Sequence, residues 1–369
     1  MKVLLTGANG FLGWHTRCRL RALTDHDVTV ASRSNWNQLE DLVRGVDAII
    51  HIAGVNRAER QQVTEGNTQL ARDVVSAMQR AGSRARLVFA NSIQAGNETP
   101  YGDGKASAAS ILAAEAKRIA TPVADVMLPN LFGEHGRPSY NSFTATFIDK
   151  RLRGETPALQ DRPIELLHVQ DAAQALIDGL DCVGVQTVNP SGHMTSVQEV
   201  WDKICLFSDL YATGEMPPFP SKFDVDLFNT YRAATFPQDC PIALDPKEDQ
   251  RGRLVETIRS HGGQGQAFVS TTKPGITRGD HYHLSKIERF AVLQGQARIA
   301  LRRMFTDEVL EFHVDGDNPV AIDMPTMWTH NITNTGDDVV ITQFWTNELF
   351  DPDYPDTFWV KVDSKECSA

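Results

Sequence analysis

The first thirteen residues restrict the fold more than any other stretch. An apolar run at 1–6 (MKVLLT) passes directly into Thr6-Gly7-Ala8-Asn9-Gly10-Phe11-Leu12-Gly13. A buried strand that ends on small residues and opens a helix makes a tight turn whose backbone can approach a pyrophosphate, and the helix N-terminus adds free N–H groups and a positive dipole end. The spacing is G-x-x-G-x-x-G, not G-x-G-x-x-G, so taken alone it leaves nucleotide binding and a merely tight turn both open. Its place in a first strand–turn–helix unit favours the nucleotide. Thr6, Gly7, Asn9, Gly10, Phe11, Leu12 and Gly13 are therefore candidate cofactor contacts.

Short β-branched runs recur at 28–32 (VTVAS), 48–52 (AIIHI), 87–90 (LVFA) and 123–128 (VADVML), with helix-compatible stretches at 67–81 and 105–119 between them. That alternation predicts a doubly wound parallel α/β sheet of the Rossmann type. After about residue 245 helical periodicity fades, and strand-like runs at 267–271, 288–293, 297–301, 309–314, 320–323 and 339–346 are separated by Gly, Asp, Pro and Asn. Such a series predicts a closed or double-sheet β domain. The stretch 236–251, with three prolines, reads as the linker, so the expected division is 1–244 and 245–369. A length of 369 residues suits two domains at roughly 100 to 200 residues each.

A net charge of -11 speaks against a nucleic-acid or anionic-membrane partner, although local donors can still hold an anionic substrate. The five cysteines (Cys18, Cys182, Cys205, Cys240, Cys367) form no C-x-x-C pair, which fits a reducing compartment. With no stretch of about 18 apolar residues, the expectation is a soluble, cytoplasmic protein.

The second strand ends in Ala31-Ser32-Arg33 with no acidic residue to meet a free ribose 2′-hydroxyl. Ser32 and Arg33 suit a 2′-phosphate, which favours NADPH over NADH; the plain alternative is an ordinary surface arginine. Tyr101-Gly102-Asp103-Gly104-Lys105 places a phenol and an ammonium four residues apart, on one face of a helix. The ammonium favours the phenolate, so proton exchange near neutral pH is expected. Asn91-Ser92 closes the preceding strand, where a hydroxyl can bond the same substrate oxygen.

Together TGANGFLG, His51-Ile52-Ala53-Gly54, Ser92 and YGDGK resemble the extended short-chain dehydrogenases/reductases that modify nucleotide sugars. The resemblance implies that Tyr101 is the general acid, that Lys105 supports it and binds the nicotinamide ribose, that Ser92 holds the carbonyl, and that Ala53 and Gly54 border the cofactor. Pro129-Asn130-Leu131-Phe132-Gly133 and Tyr140-Asn141-Ser142 are similar to the substrate-binding stretch of that group, which assigns Asn130, Tyr140 and Asn141 to the sugar nucleotide. Two departures stand out: Met127 replaces a common arginine, and Gly104 is a poor helix former beside Lys105.

In the second half, His281-x-His283, Glu288 and His330 supply three imidazoles and a carboxylate on strands that can converge at a barrel mouth. Such donors suit Zn, Fe, Mn or Ni, with zinc the first expectation; the bland alternative is strand histidines bonded to their neighbours. Gly275, His281, His283, Glu288 and Gly295 match the spacing of the first cupin motif, while Pro325, His330 and Asn334 fit the second with Met327 in place of its glycine. Arg278-Gly279-Asp280-His281 is also similar to metal-free cupin-class epimerases, in which the histidine is the base. If all four residues ligate a metal, Lys273 or Lys286 is left as the candidate base. His313 and His261 lie outside the pattern and are expected at the surface.

The pairing of the two halves resembles the bifunctional capsular-polysaccharide enzymes of the UDP-N-acetyl-L-fucosamine pathway. That resemblance implies a UDP-linked 4-keto-6-deoxy amino sugar as substrate, C3 epimerisation by the cupin domain, C4 reduction by the reductase domain with NADPH, and a homodimer. The alternative is a reductase whose cupin is a non-catalytic, metal-stabilised module.

Overall fold

The structure is a computed structural model that describes residues 1–364; Cys367 lies outside the described residues. By internal contacts the chain forms two compact units, one of residues 1–146 and 159–198, the other of 147–158 and 199–369.

In the first unit the elements alternate as expected: β1 (Lys2–Thr6), α1 (Phe11–Leu23), β2 (Asp27–Ala31), α2 (Leu39–Leu42), β3 (Ala48–His51), α3 (Arg60–Ala81), β4 (Arg86–Ser92), α4 (Pro100–Ile119) and β5 (Val123–Leu128). With β6 (Asn130–Phe132), the start of α5 (Phe143–Leu152), whose later residues belong to the second unit, β7 (Pro163–His168), α6 (Val169–Asp178), β8 (Val185–Val188) and β9 (His193–Ser196) they give a six-stranded parallel, Rossmann-like sheet ordered β2-β1-β3-β4-β5-β8, and a small β6-β7-β9 sheet. Successive side chains of a strand point to opposite faces. Val3 and Leu5 accordingly join Ile50, Val88 and Val126 in one core beneath Leu20 and Leu176, whereas Leu4 joins Ile49, Leu87 and Phe89 in the other beneath Val74 and Leu112. Two buried faces explain why these strands read as continuous apolar runs and not as alternating ones.

Both long helices start earlier than periodicity predicts. The first turn of α4 is fixed by Pro100 at its start and by the Thr99 hydroxyl, which accepts from Gly102 N at 3.1 Å. Gly104 is no weak point in this helix. A Cβ there would stand 3.1 Å from Thr64 Cα and 3.2 Å from Asn67 Cβ, so the glycine lets α3 and α4 approach closely.

The second unit contains most of α7 (Val197–Tyr211) and all of α8 (Lys222–Thr235), so helices accompany the β-rich segment on the N-terminal side of residue 245. The stretch 236–251 carries β10 (Ile242–Ala243), which pairs with a later strand, and β11 (Lys247–Asp249), which pairs with β12 (Gly252–Leu254); the expected bare linker is thus part of the fold. The strands that follow are β13 (Gln266–Thr272), β14 (Thr277–Tyr282), β15 (Glu288–Gln294), β16 (Gln296–Arg303), β17 (Val309–Asp315), β18 (Val320–Met324), β19 (Trp328–Asn334), β20 (Val340–Thr346) and β21 (Phe358–Trp359). They form two five-stranded sheets, β10-β18-β15-β20-β13 and β17-β16-β19-β14-β21, with Phe290, Ile322 and Phe344 of one meeting Ile299, Leu301 and Ile332 of the other. Side chains of this size each contribute about 1.5–3 kcal/mol when buried. Positive φ at Gly275 (73°) and Gly295 (81°) marks two of the turns, and Met327, fully buried, takes the same left-handed conformation (60°) where a glycine was expected.

One ion pair is sealed inside this unit. Arg289 and Asp323 face each other across β15 and β18, with Nε–Oδ1 2.6 Å and Nη2–Oδ2 2.9 Å; Tyr211 donates to Asp323 at 2.8 Å and Arg289 Nη1 to Gly214 O at 2.8 Å. Removing one partner of such a pair strands a charge. Asp323→Ala is expected to lower unfolding free energy by about 3–5 kcal/mol, whereas the joint change Arg289→Met, Asp323→Leu should recover most of it. Urea denaturation of both variants measures this, and a loss below about 1 kcal/mol for Asp323→Ala would contradict it.

Candidate functional site

Strand order decides where a ligand can enter the first unit. The chain runs from β1 to the edge strand β2 and returns on the other side as β3, so a crevice opens beyond the C-terminal ends of β1 and β3, at the topological switch point. The Gly7–Gly13 turn and Ala53-Gly54 stand there. Gly7 has φ +71°, and a Cβ on it would come within 2.7 Å of Ala53 N; one on Gly13 would run into the Gly7 carbonyl. Gly10 N donates to Gly7 O at 3.0 Å and starts α1. Thr6 Oγ1 accepts from Ile52 N (3.1 Å) and Ala53 N (3.2 Å), which leaves its proton for His51 Nδ1 at 2.8 Å. Burial, then the charge of Lys105, lowers His51 to about 3, so that acceptor stays neutral. Asn9 and Gly10 are exposed and Phe11 and Leu12 half-buried around the turn. Ser32 N is held by Asn35 Oδ1 at 2.7 Å, and Arg33 is exposed directly after β2.

Ser92, Tyr101 and Lys105 converge beyond β4. Ser92 is a polar neighbour of the Tyr101 phenol, and Lys105 Nζ donates to Ala90 O at 2.7 Å while lying 5.9 Å from the centre of the Tyr101 ring. Burial, opposed by Ser92, raises the Tyr101 pKa and so favours the phenol over the phenolate. Lys105 is lowered to about 8, by burial first, with Asp125 opposing. Asn67, which the motifs did not single out, fixes the floor of this site. Its side chain accepts from Val55 N (3.1 Å) and donates to Val55 O (2.7 Å) and Val63 O (2.8 Å), and it stands against Gly54.

Among the residues assigned to the sugar nucleotide, Asn130 and Asn141 are exposed and Tyr140 is half-buried. Tyr140 carries two guanidiniums that sequence reading missed, Arg57 at 5.6 Å and Arg137 at 5.4 Å from the ring centre, and Arg57 also donates to Ser139 O at 2.8 Å. Two exposed cations on one aromatic ring suit an anionic ligand. Met127 lies half-buried in β5, opposite Asn91.

In the second unit His281 on β14 is opposite His330 on β19, and Glu288 opens β15. One donor atom from each of His281, His283, Glu288 and His330 falls within 4.8 Å of all the others. His283 Nε2 is 3.1 Å from Glu288 Oε2; His330 Nε2 lies 3.3 Å from the same oxygen without the alignment of a hydrogen bond. His281 Nδ1 is likewise buried without a hydrogen-bond partner. Burial, then the neighbouring His330 and His283, pushes His281 down to about 2. Burial opposes ionisation of Glu288 as well, yet the bond to His283 and the nearby His330 imidazole hold it well below the usual carboxylate range. Three imidazoles, one carboxylate and two unpaired buried nitrogens fit a divalent cation. The cluster borders a cavity of about 680 Å³ also lined by Phe268, Lys286, Glu348 and Trp359. Lys286 reaches this cavity; Lys273 is exposed and not among its lining residues. His313 and His261 are both exposed, as expected.

A model of the NAD dependent epimerase/dehydratase family matches residues 3–182, and one of the polysaccharide biosynthesis C-terminal domain matches residues 247–358. Over 98% of its length the chain is 33% identical to the UDP-2-acetamido-2,6-beta-L-arabino-hexul-4-ose reductase of Pseudomonas aeruginosa, spanning 99% of that enzyme. The chain belongs to that reductase's family. It is also similar to a solved structure of the capsular polysaccharide assembling protein CapF from Staphylococcus aureus (32% identity, 98% of this chain and 100% of that one, TM-score 0.60). A UDP-N-acetylglucosamine 4-epimerase from Methanobrevibacter ruminantium shares the fold (17% identity, 63% of this chain and 97% of that one, TM-score 0.53). Among the described residues no helix is long and apolar enough to cross a membrane.

Buried Lys105 gives this family member a testable pH signature. Its folded pKa, about 8, lies below the unfolded value of 10.5, so between these pH values the unfolded chain holds a proton that the folded chain does not. Stability then rises with pH across that window. Relative to Lys105→Met, the wild type is expected to gain about 3 kcal/mol between pH 7 and 10.5, measured as the difference of two urea denaturation series. Parallel pH curves for the two proteins would contradict the assignment.

Proposed function

We propose that this family member is a bifunctional nucleotide-sugar enzyme acting in the cytoplasm as a homodimer, in capsule or O-antigen synthesis. Its substrate is a UDP-2-acetamido-2,6-dideoxy-4-hexulose; the β-rich domain, a cupin, epimerises C3, and the N-terminal domain reduces the C4 ketone to give UDP-N-acetyl-6-deoxytalosamine. We place the division of the two chemistries at 244/245; the family matches end at residue 182 and resume at 247, and α7 and α8, which lie between them, group by contacts with the β-rich segment. The observation that carries the reductase reading is the convergence of Ser92, Tyr101 and buried Lys105 beside a glycine turn at the sheet's switch point. Support for the substrate comes from the Pseudomonas aeruginosa relative, named for a UDP-linked hexul-4-ose.

NADPH, when bound along Gly7–Gly13, supplies the hydride for C4. Tyr101, kept protonated by burial, delivers its proton to the developing alkoxide, and Ser92 orients the carbonyl oxygen by a second hydrogen bond. Lys105 binds the nicotinamide ribose and, as a cation beside the phenol, eases departure of that proton. Ser32 and Arg33 meet the 2′-phosphate, Ala53 and Gly54 border the dinucleotide, and Asn130, Tyr140 and Asn141 hold the sugar nucleotide. Arg57 and Arg137 at Tyr140 offer its diphosphate the charge that Met127 does not.

In the cupin, His281, His283, Glu288 and His330 would hold a divalent metal, with zinc the simplest fit to this donor set. Such an ion supplies positive charge to an enolate oxygen. The C4 ketone acidifies C3–H, so exchange there needs a base and a proton donor on opposite faces of the sugar. Lys286, which lines the cavity, is the candidate for one of them.

Full-length wild type and Tyr101→Phe, incubated with the 4-keto sugar and NADPH in deuterated water, test both halves. NADPH oxidation should fall about 10²- to 10⁴-fold in Tyr101→Phe while deuterium still enters C3. Unchanged oxidation removes the reductase assignment. Absence of C3 exchange in both proteins would instead make the cupin a non-catalytic, metal-stabilised dimerisation or sugar-binding module.

A further inference from the structure

Asp356 lies outside every motif, in the irregular segment before β21, and its backbone is left-handed (φ 41°). It is nevertheless the hub of the loop that joins His283 to Glu288. Its Oδ1 accepts from Leu284 N at 2.9 Å, and its Oδ2 from Ser285 N (3.0 Å), Lys286 N (2.8 Å) and the Ser285 hydroxyl (3.1 Å). Three consecutive backbone N–H groups thus close around one carboxylate, an arrangement that fixes a loop with no ladder of its own. The same residue's carbonyl receives His283 Nδ1. A carbonyl can only accept, so Nδ1 carries a proton and Nε2 is the nitrogen turned toward Glu288 Oε2, 3.1 Å away.

The segment bearing Asp356 is itself tied down. Lys286 Nζ donates to Pro355 O, Val360 N donates to Asp280 O at 2.9 Å, and Val362 N donates to Asp280 Oδ1 at 3.1 Å. Arg302, buried, donates to Val362 O at 2.7 Å and Lys361 O at 3.0 Å. Left-handed backbone costs a non-glycine residue about 1–3 kcal/mol and persists where its surroundings over-determine it. Here it lets one residue direct its carboxylate to the loop and its carbonyl to the histidine.

We infer that Asp356 is the positioning residue of the His281/His283/Glu288/His330 centre: its carbonyl selects the His283 tautomer that offers Nε2, and its carboxylate fixes the loop spacing His283 from Glu288. This inference rests on the metal reading above. Outer partners of metal-binding histidines are worth about 10- to 100-fold in metal affinity.

The test uses full-length wild type, Asp356→Ala, Asp356→Asn and His283→Ala, stripped of metal and titrated with Zn²⁺ against a chromophoric chelator. Co²⁺ spectra and backbone hydrogen exchange are recorded beside the titrations. Wild type should take up Zn²⁺ in a His283-dependent way, and Asp356→Ala should bind it about 10- to 100-fold more weakly, with an altered Co²⁺ band and faster exchange confined to 284–286. Asp356→Asn keeps one acceptor oxygen but turns an NH₂ toward N–H donors, so it should fall between the two; it carries the comparison if the alanine variant does not fold. Wild-type Zn²⁺ affinity and an unchanged Co²⁺ spectrum in Asp356→Ala, even with a lower Tm, would overturn this inference alone. No His283-dependent Zn²⁺ uptake by wild type would overturn the metal reading and this inference with it.

Discussion

The first unit depends on how closely the ends of β1 and β3 approach each other. A parallel sheet that reverses direction of growth between two adjacent strands leaves their C-terminal ends open, and open backbone must be satisfied or covered. Thr6 satisfies it from within: one hydroxyl takes two N–H groups from the end of β3 and gives its proton to His51. Gly7 then leaves the strand through a left-handed turn that no Cβ would survive, because Ala53 N stands in the way. The turn around Asn9 and Gly10 is consequently held against the ends of β1 and β3. A larger residue at position 7 or 13 would separate the two strand ends and close off the crevice on which every other assignment in this unit relies.

Burial, more than any single charge, sets the proton inventory there. Tyr101, Lys105 and His51 are each displaced toward the neutral form, with desolvation the leading cause in all three. A neutral imidazole under the turn adds no positive charge next to Lys105. A phenol that keeps its proton is suited to donating it once an oxygen nearby gains negative charge, which is the direction a carbonyl reduction requires. The pairing of Tyr and Lys at four-residue spacing suggests a phenolate when only charges are considered. The structure reverses that because a charge-assisted shift must first overcome the cost of an anion in a site closed by Phe89, Asn67 and the strand ends.

What could be read from sequence follows from how each feature is encoded. The parallel strands were legible because two buried faces demand unbroken apolar runs, and the glycine turn because no other residue tolerates its contacts. The four clustered donors were legible because the turns bracketing them fix their spacing along β14, β15 and β19. Gly104 looked like a defect because its reason lies on another helix, at Thr64 and Asn67, about forty residues away. Asp356 was invisible for a related cause: it acts through main-chain groups of 283–286, and an aspartate in a Pro- and Asp-rich stretch carries no local sign of that. Arg57 and Arg137 become a pair only once the loops after β3 and β6 fold against Tyr140. The sequence order puts α7 and α8 before residue 245, whereas their contacts group them with the β-rich segment.

The second unit contains two buried polar systems whose difference is informative. Around Arg289 and Asp323 the accounts close: two parallel hydrogen bonds join the ions, and Tyr211 and Gly214 take up further valences. A network satisfied in this way acts as a structural tie between β15 and β18. Around Glu288 they do not close. Three imidazoles crowd one carboxylate, two ring nitrogens are left without partners, and the cluster opens on a cavity large enough for a sugar ring. Unsatisfied nitrogens beside a largely apolar cavity are costly unless something occupies them, and the outer bonds from Asp356 and Trp328 O hold His283 and His330 in that unfinished arrangement. Packing alone is served by apolar side chains such as Phe290, Ile322 and Phe344, which form the core beside the cluster. That the chain instead maintains an open donor set, braced from behind, is the physical case for a ligand-binding centre in the β-rich unit.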